Sequence, residues 1–167
     1  MTKEEKVLKV IREIDNLEAV NIYFDWNSYL IEKLNLSDDD PRFIINVRYD
    51  RHKRFSTNIN SRLVWGLGIV DYEPIIMVMI YQRQIDLINE YESLEYFKGN
   101  TEKAYLVYMT FDQFKPQADI IKNLWINCCK EYLPVEKGSR FKHSHLPLLY
   151  DASKDKEIRK EILSKKN

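Results

Sequence analysis

The sequence predicts an α+β fold, a mostly antiparallel four-stranded sheet with flanking helices, and three observations carry the prediction. Phe43, Ile45, Val47 and Tyr49 alternate with more polar neighbours, the period of a half-buried strand. Residues 63–81 join two apolar runs through Asp71-Tyr-Glu-Pro74, a turn composition. Val7, Val10, Ile11, Ile14 and Leu17 fall at helical spacing behind a Thr2/Glu5 capping-box pattern. The alternative is an all-α bundle, because the apolar run 75–81 also fits a buried helix turn and Pro74 is tolerated at a first helical position.

In chain order, Asp25 can cap a second helix whose face is Trp26, Tyr29, Leu30 and Leu34. Residues 37–41, Ser-Asp-Asp-Asp-Pro, read as a solvated turn, since they lack the glycine and final glutamate of a calcium loop. Strands follow at 42–50, 63–70, 75–81 and 104–111, with a short pairing strand at Phe55, Thr57 and Ile59. Gly66 and Gly68 interrupt the second of these, where a strand tolerates what a helix interior does not. Residues 82–97 change period: Leu87, Ile88, Tyr91 and Leu94 predict an amphipathic helix stopped by Lys98-Gly99. One helix over 74–97 is the rival parse. Pro116 opens a further helix with Ile121, Leu124, Trp125, Cys128 and Tyr132 on one face, ending at Pro134. The chain reads as a single domain over 1–167, with a long loop at 135–150 and a weakly docked C-terminal helix in 151–167, whose apolar face is only Ile158, Ile162 and Leu163.

Composition bounds the function. A chain of 167 residues buries enough surface to fold without staples, and its adjacent Cys128 and Cys129 are poorly placed for a bridge to each other, so a reducing cytoplasm is the expected setting. No apolar run nears the ~18 residues that cross a bilayer, and nothing reads as a targeting segment, so no membrane partner is expected. Lys plus Arg (26) equals Asp plus Glu (26), so any attraction for nucleic acid must be local. Abundant lysine, isoleucine and asparagine suggest an AT-rich bacterial or phage genome.

All three histidines lie in two basic clusters, Arg51, His52, Lys53, Arg54 and Arg140, Lys142, His143, His145. If the clusters met, their cations with a nearby aromatic could hold phosphates and stack a base. The bland reading makes them solvated loops that balance acidic helix faces. His143 and His145 lack a third ligand at recognisable spacing, so no metal is expected, and no cofactor motif is present. No nucleophile motif or Gly-rich phosphate loop appears, and the chain leans away from being an enzyme.

Arg140 and His145 form an Arg-x4-His spacing that resembles the pair of the helical ribonucleases known as HEPN domains, which implies RNA cleavage at a dimer interface. The resemblance covers six residues, and Gly138 and Pro147 flank it where that family has a helix. The element order is also similar to the core of restriction-endonuclease-like nucleases, in which Asp71 and Glu73 stand where paired carboxylates would hold magnesium. Residues 75–81 lack the acidic-x-Lys element of that family. Membership of neither follows.

The expected function is therefore a small non-catalytic binding protein acting on a protein partner or forming a homodimer, of immunity or anti-defence type. Eleven tyrosines supply the amphipathic surface that interfaces favour. Nucleic-acid binding or RNA cleavage through the two basic clusters is the alternative.

Overall fold

A computed structural model describes residues 1–98, 103–133 and 138–165. The fold is α+β, and the described residues form an antiparallel sheet of six strands where the sequence predicts four. Helix α1 (Lys3–Ile14) starts on the capping box, with Glu5 N–H donating to Thr2 Oγ1 (3.1 Å) and Thr2 N–H to Glu5 Oε2 (3.2 Å). Helix α2 (Leu17–Leu34) is capped by Asn16 instead of Asp25, because Asn16 turns the chain and accepts from Ala19 N–H.

The strands are β1 (Phe43–Tyr49), β2 (Lys53–Ile59), β3 (Arg62–Val70), β4 (Glu73–Tyr81), β5 (Glu92–Lys98) and β6 (Lys103–Thr110), in spatial order β1-β2-β3-β4-β6-β5. Two hairpins turn on two residues each with positive φ, Asn60-Ser61 and Asp71-Tyr72. That is the type I′ geometry whose twist matches the flanking strands. Asp71 thus serves as a turn residue and Glu73 begins β4.

The helix predicted over 82–97 is corrected: Gln82–Leu87 form a 3-10 turn and Glu92–Lys98 form edge strand β5. Without β5 the outer ladder groups of β6 would lie open, and pairing them outweighs a weak local helical period. The 3-10 turn is held by Gln117, whose amide accepts from Asn89 N–H (2.8 Å) and donates to Asn89 O (2.7 Å). The predicted stop at Gly99 lies outside the described residues.

After β6 come helix α3 (Phe111–Phe114), a 3-10 turn through Pro116, and α4 (Ala118–Tyr132). Pro134 and residues 135–137 of the expected loop lie outside the described residues. Residues 138–146 follow with a 3-10 turn at Lys142–Ser144, while 147–150 are already helical, in α5 (Pro147–Lys154). Helix α6 (Lys156–Ser164) follows, and Arg159 anchors it. Among the described residues, no helix is long and apolar enough to cross a membrane.

The main core fills one face of the sheet. Trp65 on β3 stacks on Trp26 of α2 (centroids 4.4 Å apart, 14°) and lies 5.6 Å from Trp125 of α4 and 5.9 Å from Phe114 of α3. Indole N–H groups are expensive to bury unpaired. Trp65 donates to Tyr23 O (3.0 Å) and Trp125 to Val64 O (2.9 Å), so the rings are fixed as well as dry.

Candidate functional site: the helix-free face of the sheet

Strand side chains alternate between faces, so placing the core on one face defines what stands on the other. The ladder registers then order that second face into rows. One row runs Arg48, Arg54, Gly68, Ile75, Thr110 across β1, β2, β3, β4 and β6. The next runs Asn46, Ser56, Gly66, Met77, Tyr108, Glu92 and reaches β5. Two shallow hollows open on these rows. One, of about 550 Å³, is walled by Arg54, Gly68, Ile75, Met77 and Tyr108 together with the turn at Arg51–Lys53. The other, of about 620 Å³, meets it at Ile75 and Tyr108 and adds Glu73, Glu90 and Glu92.

Charge is sorted across this face. Its β1–β2 side is basic, its β5–β6 side acidic, and glycine, Ile75 and Met77 lie between. Glycine at 66 and 68 allows a close approach: a Cβ at 68 would meet Arg54 Cβ at 3.1 Å and Lys53 O at 3.2 Å, and one at 66 would meet Met77 Cε at 3.0 Å. The Met77 side chain therefore lies in the trough that the glycines leave.

Arg54 is electrostatically frustrated. It stands directly opposite Arg48, and like charges in that position repel. Arg48 has its own carboxylate, Asp50 at 3.1 Å, whereas Arg54 makes no ion pair among the described residues. Its Nε is sealed from solvent with no acceptor among the described residues, and burial followed by Arg48 pushes its pKa down. Beside it Ser56 is 4% exposed and its hydroxyl has no partner among the described residues. On the acidic side Tyr108 donates to Glu92, the bond that chiefly raises the phenol's pKa.

The two basic clusters predicted from sequence both border β1, the first at its turn into β2 and the second beside Phe43 and Ile45, so that His145 on Ile45 and Arg54 opposite Arg48 stand about 10 Å apart along the strand by its rise. Arg51, His52, Lys53 and Arg54 form the β1–β2 turn and the start of β2. Arg51 and His52 are exposed, and Lys53 pairs with Glu13 of α1 at 3.0 Å. That lysine and the Tyr49 hydroxyl, 2.5 Å from Glu13, hold the Glu13 carboxyl below its ordinary range, the tyrosine bond most strongly. In the second cluster Arg140 lies over the Phe141 ring and His143 is exposed. Lys142 donates to Asp38 O (2.9 Å) and Phe43 O (2.7 Å).

His145 is a latch on the sheet edge. Its Nδ1 accepts from Ile45 N–H (3.0 Å), its Nε2 lies 2.6 Å from Asp38 Oδ1, and Leu146 N–H donates to Ile45 O (2.9 Å). Both outward groups of Ile45 on edge strand β1 are thereby satisfied, which blunts the edge. Acceptance at Nδ1 requires the neutral ring with its proton on Nε2, donated to Asp38.

Burial lowers the His145 pKa below 6.5, against the raising effect of Asp38, with Lys142 lowering it further and Asp151 opposing. A depressed folded pKa means that the folded state binds fewer protons than the unfolded one between the two values. The latch thus contributes fully above about pH 6.5 and is lost as pH falls through the folded pKa. His145→Ala is expected to cost about 2 kcal/mol at pH 7.5 in urea unfolding. The gap between variant and wild type should narrow steadily towards pH 5; a constant gap would contradict a neutral latch.

Among the described residues no group of three His, Cys, Asp or Glu side chains gathers as metal ligands. No protein-family model matches this chain, and neither a curated protein nor a solved structure matches it. The class that the fold and this face define is an α+β protein with an antiparallel sheet covered by helices on one side.

Sequence reasoning missed Arg48, Ser56, Ile75, Met77, Tyr108 and Glu92 as one surface. The signal was the period of two in each strand, which assigns a face but not a neighbour.

Proposed function

We propose that this chain is a non-catalytic binding protein that engages a protein surface through the helix-free face of its sheet. The supporting observation is the sorting of that face into a basic side, an apolar middle and an acidic side. A polyanion would meet Glu73, Glu90 and Glu92 within the same surface as Arg54, whereas a protein surface can match both signs. A frustrated cation that gains a carboxylate on binding fits the same reading. The proposal extends to a cytoplasmic setting, for which free buried Cys128 and Cys129 are suited, and to an immunity or anti-defence role in a bacterium or phage.

Arg54→Met tests the face. It removes a half-buried unpaired charge while keeping the stem, so urea unfolding should show a gain of about 1 kcal/mol. Partners captured by tagged wild-type protein in its native cells should nevertheless be lost from the more stable variant. Undiminished capture by both Arg54→Met and Ile75→Glu would refute the reading. Tight, salt-sensitive binding of single-stranded RNA or DNA, lost on changing Arg51 and Arg54, would instead select the nucleic-acid alternative.

A further inference from the structure

We infer that the partner of the helix-free face is a second copy of this chain, the two sheets meeting face to face about a two-fold axis that runs along the strands between β3 and β4. The inference rests on the reading of that face as a protein-binding surface, and for a second copy both halves of the interface are known.

An axis so placed carries β3 onto β4, β2 onto β6 and β1 onto β5 of the other copy, and leaves each row facing itself. The consequences follow from the register. Gly68, with the Met77 side chain beside it, faces Ile75 of the other copy. Ser56, whose buried hydroxyl lacks a partner, faces Tyr108. Arg48 on β1 faces β5, the strand that carries Glu92 and follows Glu90, while Arg54 on β2 faces Thr110 of β6, one strand in from those carboxylates.

An interface of this symmetry is isologous, so each of these contacts occurs twice. The perpendicular choice, an axis along the rows, would set Arg54 near Arg54 and Glu92 near Glu92. Charge alone therefore selects the orientation. Side chains of facing sheets interdigitate across about 10 Å, a span that arginine and glutamate reach together.

The experiment is sedimentation equilibrium up to about 200 µM protein, with two charge-reversed chains, one carrying Arg48→Glu and Arg54→Glu and the other Glu90→Lys and Glu92→Lys. Wild type is expected to dimerise, each reversed chain alone to be at least tenfold weaker, and an equimolar mixture of the two to recover the dimer, since only the mixed pair restores opposite charges at both rims. Ile75→Glu, a single change at the centre, should also give a monomer, and near-UV circular dichroism checks that every chain is folded.

A wild-type protein that stays monomeric throughout, or a dimer indifferent to all of these changes, would overturn the inference. Should wild type be monomeric while Arg54→Met still loses a captured protein, the face remains a protein-binding surface and only the second copy is refuted. If neither Arg54→Met nor Ile75→Glu loses a captured protein, the underlying reading itself falls.

Discussion

Trp65→Ala is expected to destabilise the protein by about 4 kcal/mol, the upper range for emptying a fully buried aromatic site. The indole is 0% exposed and is enclosed by Trp26, Tyr23, Trp125 and Phe114 from three helices. None of these rings can collapse into the gap freely. Trp26 and Tyr23 share α2, and Trp125 is tied by its own hydrogen bond to Val64 O. Losing the Trp65 N–H also leaves Tyr23 O without that donor. Against a typical total of about 5–15 kcal/mol, the variant should sit near the edge of folding. Far-UV circular dichroism against urea measures this independently of the lost fluorophore. Tyr72→Ala, at a position 97% exposed, is the control and should change stability by no more than about 0.5 kcal/mol.

The second large effect is expected at Arg159, and it bears on how the C-terminal helix is held. The guanidinium is buried at 3% exposure and reaches Asp25 Oδ1 (2.6 Å), Ala152 O (3.0 Å) and Ser153 O (3.2 Å), with its plane 5.5 Å from the Phe24 ring. It thus ties α6 to α2 and terminates α5 by satisfying two of its last carbonyls. Arg159→Ala should cost about 3 kcal/mol, because both carbonyls lose their donor in a dry site. Arg159→Lys should recover little, since one ammonium cannot reproduce the planar fork. Hydrogen exchange would localise the loss: protection across 147–164 should fall by at least tenfold more than protection in β3 and β4. An equal fall everywhere would mean that α5 and α6 unfold only with the sheet.

Arg159 also illustrates where reading by hydrophobic period stops. The expectation of weak docking counts Ile158, Ile162 and Leu163, and by that count the face is thin. A charged residue at an inward position adds nothing to an apolar stripe, yet here it supplies three contacts because Asp25 and two backbone carbonyls converge on it. Only the approach of α2 to α5 creates that convergence. The same limit explains Asp25 itself, which composition marks as a helix cap and the structure places within α2 facing Arg159.

Local chemistry alone determined the helix start at Thr2, the strand character of residues 43–49, 63–70, 75–81 and 104–110, the turn at Asp71, and the α+β class. These features depend on residues within a few positions of each other, where steric preference, capping and a period of two or 3.6 act directly. The strand at residues 92–98 and the pairing of β4 with β6 across it were decided by tertiary structure, because a ladder is paid for by a partner distant in sequence and a short apolar period cannot reveal that partner. The candidate site follows the same division. Alternation puts Arg54 and Ser56 on one face of β2, a fact legible in seven residues. That the face is free of helices, that Arg48 stands opposite, and that glycines leave a trough beside it are matters of register, and register is settled only when the strands of the whole sheet align their buried sides on one core.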